Sequence, residues 1–133
     1  MVSIHTPLTA ETRGMIDGPL YQRMKPSAIF IQTARGSIHD EDSLLEALAS
    51  GHLAGAGLDV WEAEPPAASH PLLALDNVMS SPHTAGVTRD SRERMAEYAV
   101  SQLLDLFAGR EPLRPINPEV LPHYRQRFRA ILG

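Results

Sequence analysis

Reactive side chains follow three apolar segments of this sequence, each at the carboxyl end of a segment that is typical of a β-strand. Arg35 follows the run AIFIQT, Glu62 and Glu64 follow the run AGAGLDV, and His83 follows the run NVMSS. In an open parallel sheet, the carboxyl ends of the strands lie at one edge, and ligands bind in the crevice outside that edge. We therefore expect a cationic, an acidic and an imidazole side chain to converge there.

Together these residue types suit the reduction of a 2-oxo acid by hydride transfer. A histidine transfers protons near neutral pH, and a neighbouring carboxylate favours the imidazolium and orients its ring. An arginine binds a substrate carboxylate through two parallel hydrogen bonds and polarises the adjacent carbonyl. Taken singly, each residue has an ordinary explanation as a solvated or ion-paired surface side chain. The prediction therefore rests on their convergence.

The elements that would position these residues alternate between strands and helices, which predicts βαβ units and a parallel sheet. The predicted strands are Val2–His5, Ala28–Thr33, Ala54–Val60 and Asn77–Ser81. Helices are predicted near Pro19–Met24, at about Asp40–Ser50, from a capping pattern at Thr88 or Asp90 to Gly109, and over a tail in which Tyr124, Phe128 and Leu132 share a face. The fold class is therefore α/β, a partial Rossmann-like parallel sheet of about four strands with flanking helices and a tail helix.

Two of the predicted helices carry apolar stripes that are expected to face a core. The stripe of the second helix consists of Leu44, Leu45 and Leu48, and Gly51 is expected to end that helix. The stripe of the third helix consists of Ala96, Val100, Leu103 and Phe107.

Composition argues against several other classes of protein. The 133 residues carry a net charge of -4 and no basic cluster, so nucleic-acid binding is not expected. The absence of cysteine excludes disulfide and thiolate chemistry and fits the reducing cytoplasm, which is the predicted location. No run is long and apolar enough to span a membrane, and Met1–His5 lacks the features of a signal peptide and looks like a strand already under way.

Two local patterns have simpler explanations than the sites they suggest. The polar run His39–Asp42 is explained by the N-terminus of a helix, where acidic residues are favoured, so no metal site is expected. Gly55-Ala56-Gly57 is not a dinucleotide-binding fingerprint, because it lacks the third glycine and leads into a strand.

Four segments, in this order and spacing, resemble the D-isomer-specific 2-hydroxyacid dehydrogenases, a family that includes phosphoglycerate, glyoxylate/hydroxypyruvate and D-lactate dehydrogenases. They are HTPLTAETRGMI, TARGSIHDEDSLLEAL, GAGLDVWEAEPP and SPHTAG, and the resemblance extends to about residue 120. It implies that Arg35 binds the substrate carboxylate, that Glu64 holds the histidine and raises its pKa, and that His83 is the catalytic acid and base. The expected substrate is a small 2-oxo or 2-hydroxy acid.

The resemblance also implies a set of contacts to the cofactor, NAD or NADP. Asp59 resembles the residue that binds the nicotinamide carboxamide, and Thr6 with Pro7 resembles the cofactor contact after the first strand. The complete expected set is Thr6, Pro7, Thr33, Ala34, Arg35, Asp59, His83, Ala85 and Gly86.

Two positions refine this interpretation. Formate dehydrogenases of the same superfamily carry glutamine in place of Glu64, so the glutamate favours 2-hydroxyacid chemistry. The usual family pattern has Val-Asp where this chain has His39-Asp40. We interpret His39 as a variation of the helix cap and not as a second catalytic histidine.

The resemblance covers only part of the family's two-domain fold. Residues 1–111 would form the second half of the NAD(P)-binding domain, and residues 112–133 would pack on a substrate domain that this sequence lacks. Without the glycine-rich phosphate site, we expect the isolated chain to bind NAD or NADP weakly or not at all and to lack turnover. We expect a missing N-terminal portion, or self-association through the exposed strand Val2–His5.

A second functional class stays open at this point. Relatives of the family act as cofactor-sensing corepressors, so the chain could instead be a non-catalytic sensing or assembly module. The sequence determines neither the 2-hydroxy acid, nor the choice between NAD and NADP, nor the oligomeric state.

Overall fold

Four short strands form the sheet that organises the first part of the molecule, as a computed structural model of the chain shows. They are β1 Val2–Ile4, β2 Ile29–Gln32, β3 Gly55–Leu58 and β4 Val78–Ser80. The strands are all parallel and lie in the order β1-β2-β3-β4. The register pairs Ile4 with Gln32, Gln32 with Leu58, and Leu58 with Ser80, so the carboxyl ends of all four strands are level.

This sheet confirms the predicted fold class, a partial Rossmann-like parallel sheet of four strands. Each strand is one or two residues shorter at its ends than the apolar run that predicted it, because the pairing stops before the run does. Gly55 and Gly57 lie within β3, as expected of a segment that leads into a strand.

Helices and short 3-10 turns connect the strands. The helices are α1 Gly18–Gln22, α2 Glu41–Ala49, α3 Arg89–Phe107 and α4 Leu121–Leu132, and the 3-10 turns are Gly36–Ile38, Pro71–Ala74 and Pro118–Val120. Thr88 caps α3, and Ser91 completes a capping box with it, so the alternative start at Asp90 is wrong. Gly51 and Gly109 follow the ends of α2 and α3 with φ of 74° and 72°, as the glycine pattern predicted.

The structure describes residues 1–132, and the chain divides into two compact units, Met1–Gly86 and Val87–Gly133. The core of the first unit lies between the sheet and the helices α1 and α2. Phe30 of β2 is fully buried there, with the ring of Tyr21 packed edge-on at 5.2 Å between centroids. Leu44 and Leu48 are buried and Leu45 is half-buried, so the stripe predicted for α2 is confirmed. The domain division predicted at residue 111 stays a prediction.

The second unit contains α3 and α4. The Tyr124 hydroxyl of α4 donates a hydrogen bond to the Leu106 carbonyl at 2.5 Å. No residue of α3, all of which the structure describes, is buried within this unit, and Leu103 and Phe107 are 52% and 75% exposed. The prediction that the α3 stripe faces a core is therefore wrong for the described residues, because periodicity shows that a face is apolar without showing what covers it.

The structure describes two of the three side chains on the face predicted for α4. Tyr124 and Phe128 share a side of the helix and are half-buried, with ring centroids 6.0 Å apart. The side chain of Leu132 lies outside the described part of the chain. Within residues 1–132, no helix has both the length and the apolarity that crossing a membrane requires.

His39 does not cap α2, contrary to prediction. Asp40 is the cap, and its carboxylate accepts the Ser43 N–H at 2.6 Å. His39 is 3% exposed, and its ring lies 5.6 Å from that of Phe30. Neither of its ring nitrogens has a hydrogen-bond partner among residues 1–132. The valine usual at this position in the family pattern fits such a site, because the position belongs to the core.

His39→Val should make the first unit less sensitive to acid. Burial lowers the pKa of His39 in the folded chain, against the opposing pull of the carboxylates of Glu41 and Asp40. Below about pH 6.5, the ordinary value for an unfolded histidine, the unfolded chain binds a proton that the folded chain resists, so stability falls with pH. The stability of His39→Val relative to the parent should therefore rise, by on the order of 1 kcal/mol, between pH 7.5 and pH 5.

Urea unfolding at these two pH values measures the effect. His123→Gln, at an exposed position on α4, serves as the control and should show the same difference from the parent at both pH values. An equal stability difference for His39→Val at both pH values would contradict the explanation.

Candidate active site

The loops that carry the predicted site residues continue the alignment of the strands. Beyond the strand ends, Asp59 N–H donates to the Gln32 carbonyl and Ser81 N–H donates to the Leu58 carbonyl, each at 2.9 Å. The buried Gln32 side chain also accepts the Ala34 N–H at 3.0 Å, which fixes the start of the loop that carries Arg35. The loops after β2, β3 and β4 therefore leave the sheet from one edge.

Glu64 and His83 form the central pair of the site. His83 Nδ1 lies 2.8 Å from Glu64 Oε2, and the two side chains are 43% and 37% exposed. The hydrogen bond from His83, the one from the Trp61 N–H and the charges of His83 and Arg35 together place the pKa of Glu64 below its ordinary value. An ionised carboxylate only accepts hydrogen bonds, so Nδ1 carries the proton and Nε2 is the nitrogen left for proton exchange with a ligand.

Asp59 holds the loop that contains His83. Its carboxylate accepts hydrogen bonds from the Ser81 hydroxyl at 2.5 Å, the Thr84 N–H at 2.7 Å and the Ala85 N–H at 2.9 Å. Burial acts to raise the pKa of Asp59, but these hydrogen bonds outweigh it and the pKa lies below the ordinary value.

His83 itself adopts a left-handed backbone conformation, with φ of 54°. Such a conformation is uncommon for a non-glycine residue and persists where surrounding contacts enforce it. Those contacts come from Asp59, whose carbonyl accepts the His83 N–H at 2.7 Å and whose carboxylate holds the next two residues. The three hydrogen bonds to the Asp59 carboxylate leave one acceptor position on it. The contact between Asp59 and the nicotinamide carboxamide stays a prediction.

Arg35 borders a cleft of about 570 Å³ between the loops after β1 and β2. Its guanidinium is exposed and donates to the Ala34 carbonyl at 2.6 Å, and among residues 1–132 it forms no salt bridge within 4.0 Å. The cleft is lined by His5, Thr6, Pro7, Leu8, Thr33, Ala34 and Arg35. Five residues predicted to meet the cofactor or substrate thus share one surface.

The Glu64–His83 pair lines a smaller cleft of about 240 Å³ together with Trp61, Pro65, Pro66 and Pro82. The Glu64–Pro65 peptide bond is cis. Arg35 is close enough for its charge to lower the pKa of Glu64, although the two groups line separate clefts. Ala85 and Gly86 follow His83 at an exposed surface, where a side-chain carbon added to Gly86 would meet nothing within 4 Å.

Two residues of the site received no role from the sequence. His5 lines the Arg35 cleft, and its Nε2 lies 2.7 Å from the Ser3 hydroxyl. Trp61 contacts Glu64 and Ser81 through hydrogen bonds. The only signal in the sequence was their position within the motifs that also contain Thr6 and Glu64. Among residues 1–132, no group of histidine or carboxylate side chains is arranged to hold a metal ion.

The sequence profile of the D-isomer specific 2-hydroxyacid dehydrogenase NAD binding domain matches residues 1–85. Glyoxylate reductase from Thermofilum pendens is 46% identical over 121 residues, which cover 91% of this chain and 36% of the relative. The chain therefore spans little more than a third of the length of such relatives.

Solved structures agree with this match. The TT0316 protein of Thermus thermophilus superimposes with a TM-score of 0.81 at 49% identity, over 86% of this chain and 36% of that one. The NADPH-dependent glyoxylate/hydroxypyruvate reductase of Sinorhizobium meliloti, solved with NADP and malonate, gives a TM-score of 0.77 at 35% identity, over 86% and 35%. This chain belongs to the D-isomer specific 2-hydroxyacid dehydrogenase family.

Proposed function

We propose that this chain is the part of an NAD(P)-dependent 2-hydroxyacid dehydrogenase that carries the catalytic residues, and that the substrate is a small 2-oxo acid such as glyoxylate. The observation that carries the proposal is the 2.8 Å contact between His83 Nδ1 and Glu64, at the same sheet edge as the exposed guanidinium of Arg35. The relatives named glyoxylate reductase support this choice of substrate.

The proposed chemistry follows from the roles that these side chains can take. Arg35 binds the carboxylate of the 2-oxo acid and withdraws electron density from the adjacent carbonyl. His83 donates a proton from Nε2 to the carbonyl oxygen as that oxygen becomes an alkoxide. Glu64 holds Nδ1 and favours the protonated ring before the transfer. A nicotinamide cofactor supplies the hydride when bound.

The residues present fit the nicotinamide end of such a cofactor. The cleft beside Arg35 is lined by two residues with hydroxyl groups, Thr6 and Thr33, and by the apolar residues Pro7 and Ala34. Gly86 offers open space where a side chain would otherwise stand. We therefore assign Thr6, Pro7, Thr33, Ala34, Arg35, Asp59, His83, Ala85 and Gly86 to the cofactor-facing surface.

The pyrophosphate end lacks its usual partner within this sequence, which has no G-x-G-x-x-G segment. We infer that the complete site needs a second portion of protein, which fits the 36% coverage of the relatives.

The chain alone should then bind NADH or NADPH weakly and reduce neither glyoxylate nor hydroxypyruvate. It should also self-associate, because β1 pairs with β2 on one side only and leaves an edge strand. Calorimetric titration, assays of NADH and NADPH oxidation and light scattering test these expectations; tight binding, turnover or a monomer would contradict them.

A chimera tests the function itself. In it, this chain replaces the matching segment of Thermofilum pendens glyoxylate reductase, with which it shares 46% identity over 121 residues. We expect glyoxylate-dependent oxidation of NADH or NADPH by the folded chimera. A chimera that melts cooperatively and binds the cofactor, yet shows no turnover, would contradict the proposal and favour a non-catalytic, cofactor-sensing module.

A further inference from the structure

Trp61 is hydrogen-bonded to both of the segments that carry the Glu64–His83 pair. It follows β3 and is 3% exposed. Its backbone N–H donates to Glu64 Oε1 at 3.1 Å, and its indole N–H donates to the Ser81 carbonyl at 3.3 Å. Since Ser81 is only two residues from His83, one residue is hydrogen-bonded to the catalytic carboxylate and to the segment that carries the imidazole.

The bond to Ser81 completes a set of contacts that fixes where His83 stands. The Ser81 N–H donates a hydrogen bond to the Leu58 carbonyl, and the Ser81 hydroxyl donates one to the Asp59 carboxylate. Within residues 1–132, the Ser81 carbonyl accepts a hydrogen bond only from the indole N–H of Trp61. The indole N–H therefore adds a further contact between this segment and the loop that leads to Glu64, beside the hydrogen bonds that Asp59 accepts from it.

The Trp61 ring also packs against the ring of His70. The two rings pack edge-to-face with centroids 5.3 Å apart. His70 Nδ1 accepts the Leu72 N–H at 3.3 Å, so Nε2 is its donor, and it points to Glu41 Oε2 at 3.1 Å. The other oxygen of Glu41 accepts the Glu62 N–H at 2.7 Å. The first turn of α2 thus braces the loop that carries Trp61 and Glu64.

Trp61 also has little freedom to move on its backbone side. Gly36, next to Arg35, packs so closely on the Trp61 carbonyl that an added side-chain carbon would overlap it. The residue is therefore confined between the Arg35 loop, the His70 ring and the Ser81 carbonyl. A residue confined in this way transmits its position to its hydrogen-bond partners.

We propose that Trp61 is a positioning residue that sets the distance between Glu64 and His83 through its indole hydrogen bond to Ser81. The proposal rests on the proposed function only for its catalytic consequence. The geometry it concerns is a property of the first unit and can be measured without cofactor or substrate.

The expected result of removing this hydrogen bond is a weaker contact between His83 and Glu64. Because the hydrogen bond from His83 is the largest cause of the lowered pKa of Glu64, that pKa should rise toward its ordinary value. Trp61→Phe removes the indole N–H while keeping the backbone N–H and a ring against His70. Carboxyl ¹³C NMR of the full chain across a pH titration measures the pKa of Glu64, and the ring signals of His83 report the other side of the contact.

The control is Tyr21→Phe, because Tyr21 is fully buried and its hydroxyl has no hydrogen-bond partner in the described part of the chain. This variant should leave the pKa of Glu64 unchanged. Since Trp61 is the only tryptophan, it can also be replaced globally by benzothienylalanine, in which sulfur replaces the N–H at nearly constant shape. This second variant separates loss of the hydrogen bond from loss of packing.

A raised pKa of Glu64 in both the Trp61→Phe and the Trp61→benzothienylalanine chains, with no change in Tyr21→Phe, is the expected outcome. An unchanged Glu64 titration in the benzothienylalanine chain would overturn the proposal, whatever Trp61→Phe does to folding. Turnover by the chimera plays no part in this test. A chimera without turnover would therefore count against the proposed function alone, and an unchanged Glu64 titration would count against the role of Trp61 alone.

Discussion

His83→Gln in the chimera should lower kcat for glyoxylate reduction by about 10³-fold, because positioned acid catalysis contributes roughly 10²- to 10⁴-fold. Glutamine fills similar space and still offers hydrogen-bonding groups, but it cannot release a proton to the developing alkoxide. The KM for glyoxylate should change by only a few fold, since Arg35 supplies the charge that binds the carboxylate. Steady-state kinetics at saturating cofactor measure both constants.

His123→Gln is the matched control, because it makes the same chemical change at an exposed position of α4. Its kcat should equal that of the parent chimera. A His83→Gln chimera that retains kcat within threefold would show that another group supplies the proton, and the roles assigned to Glu64 and His83 would then be wrong.

The parallel sheet could be predicted because short apolar segments alternate with helical patterns along the chain, and that alternation indicates βαβ units. The position of Arg35, Glu64 and His83 at one edge followed from that topology, since parallel strands end on the same side. The contact between Glu64 and His83 could not be derived in this way. It depends on the path of the proline-rich loop after β3, which no periodicity describes.

Other features escaped prediction because tertiary contacts decide them. The sequence presents His39 as a polar residue near the start of a helix. In the structure its side chain is buried in the core beside Phe30, and Asp40 is the N-cap of the helix. The α3 stripe has helical spacing, but the pattern says nothing about what covers it. In the sequence, Trp61 is one aromatic residue of a motif. In the structure it is hydrogen-bonded to Glu64 and also to Ser81, which is 20 residues away along the chain.

Gly36→Ala should destabilise the first unit by about 3 kcal/mol, the upper part of the range for inserting atoms into a packed site. A side-chain carbon at position 36 would overlap the Trp61 carbonyl group and crowd the Glu62 nitrogen. These are backbone atoms that cannot rotate away, so the Arg35 loop or the Glu64 loop must shift. Urea unfolding of the full chain, followed by the fluorescence of Trp61, measures the loss.

Gly86→Ala is the control for this substitution, because an added carbon there meets nothing within 4 Å and the backbone is not left-handed. It should leave stability unchanged or slightly raised, since alanine restricts the unfolded chain more than glycine does. If Gly36→Ala matched Gly86→Ala in stability, the loops after β2 and β3 would not be pressed together at Gly36. Packing against the Arg35 loop would then not be what confines Trp61 and, through its backbone N–H, Glu64.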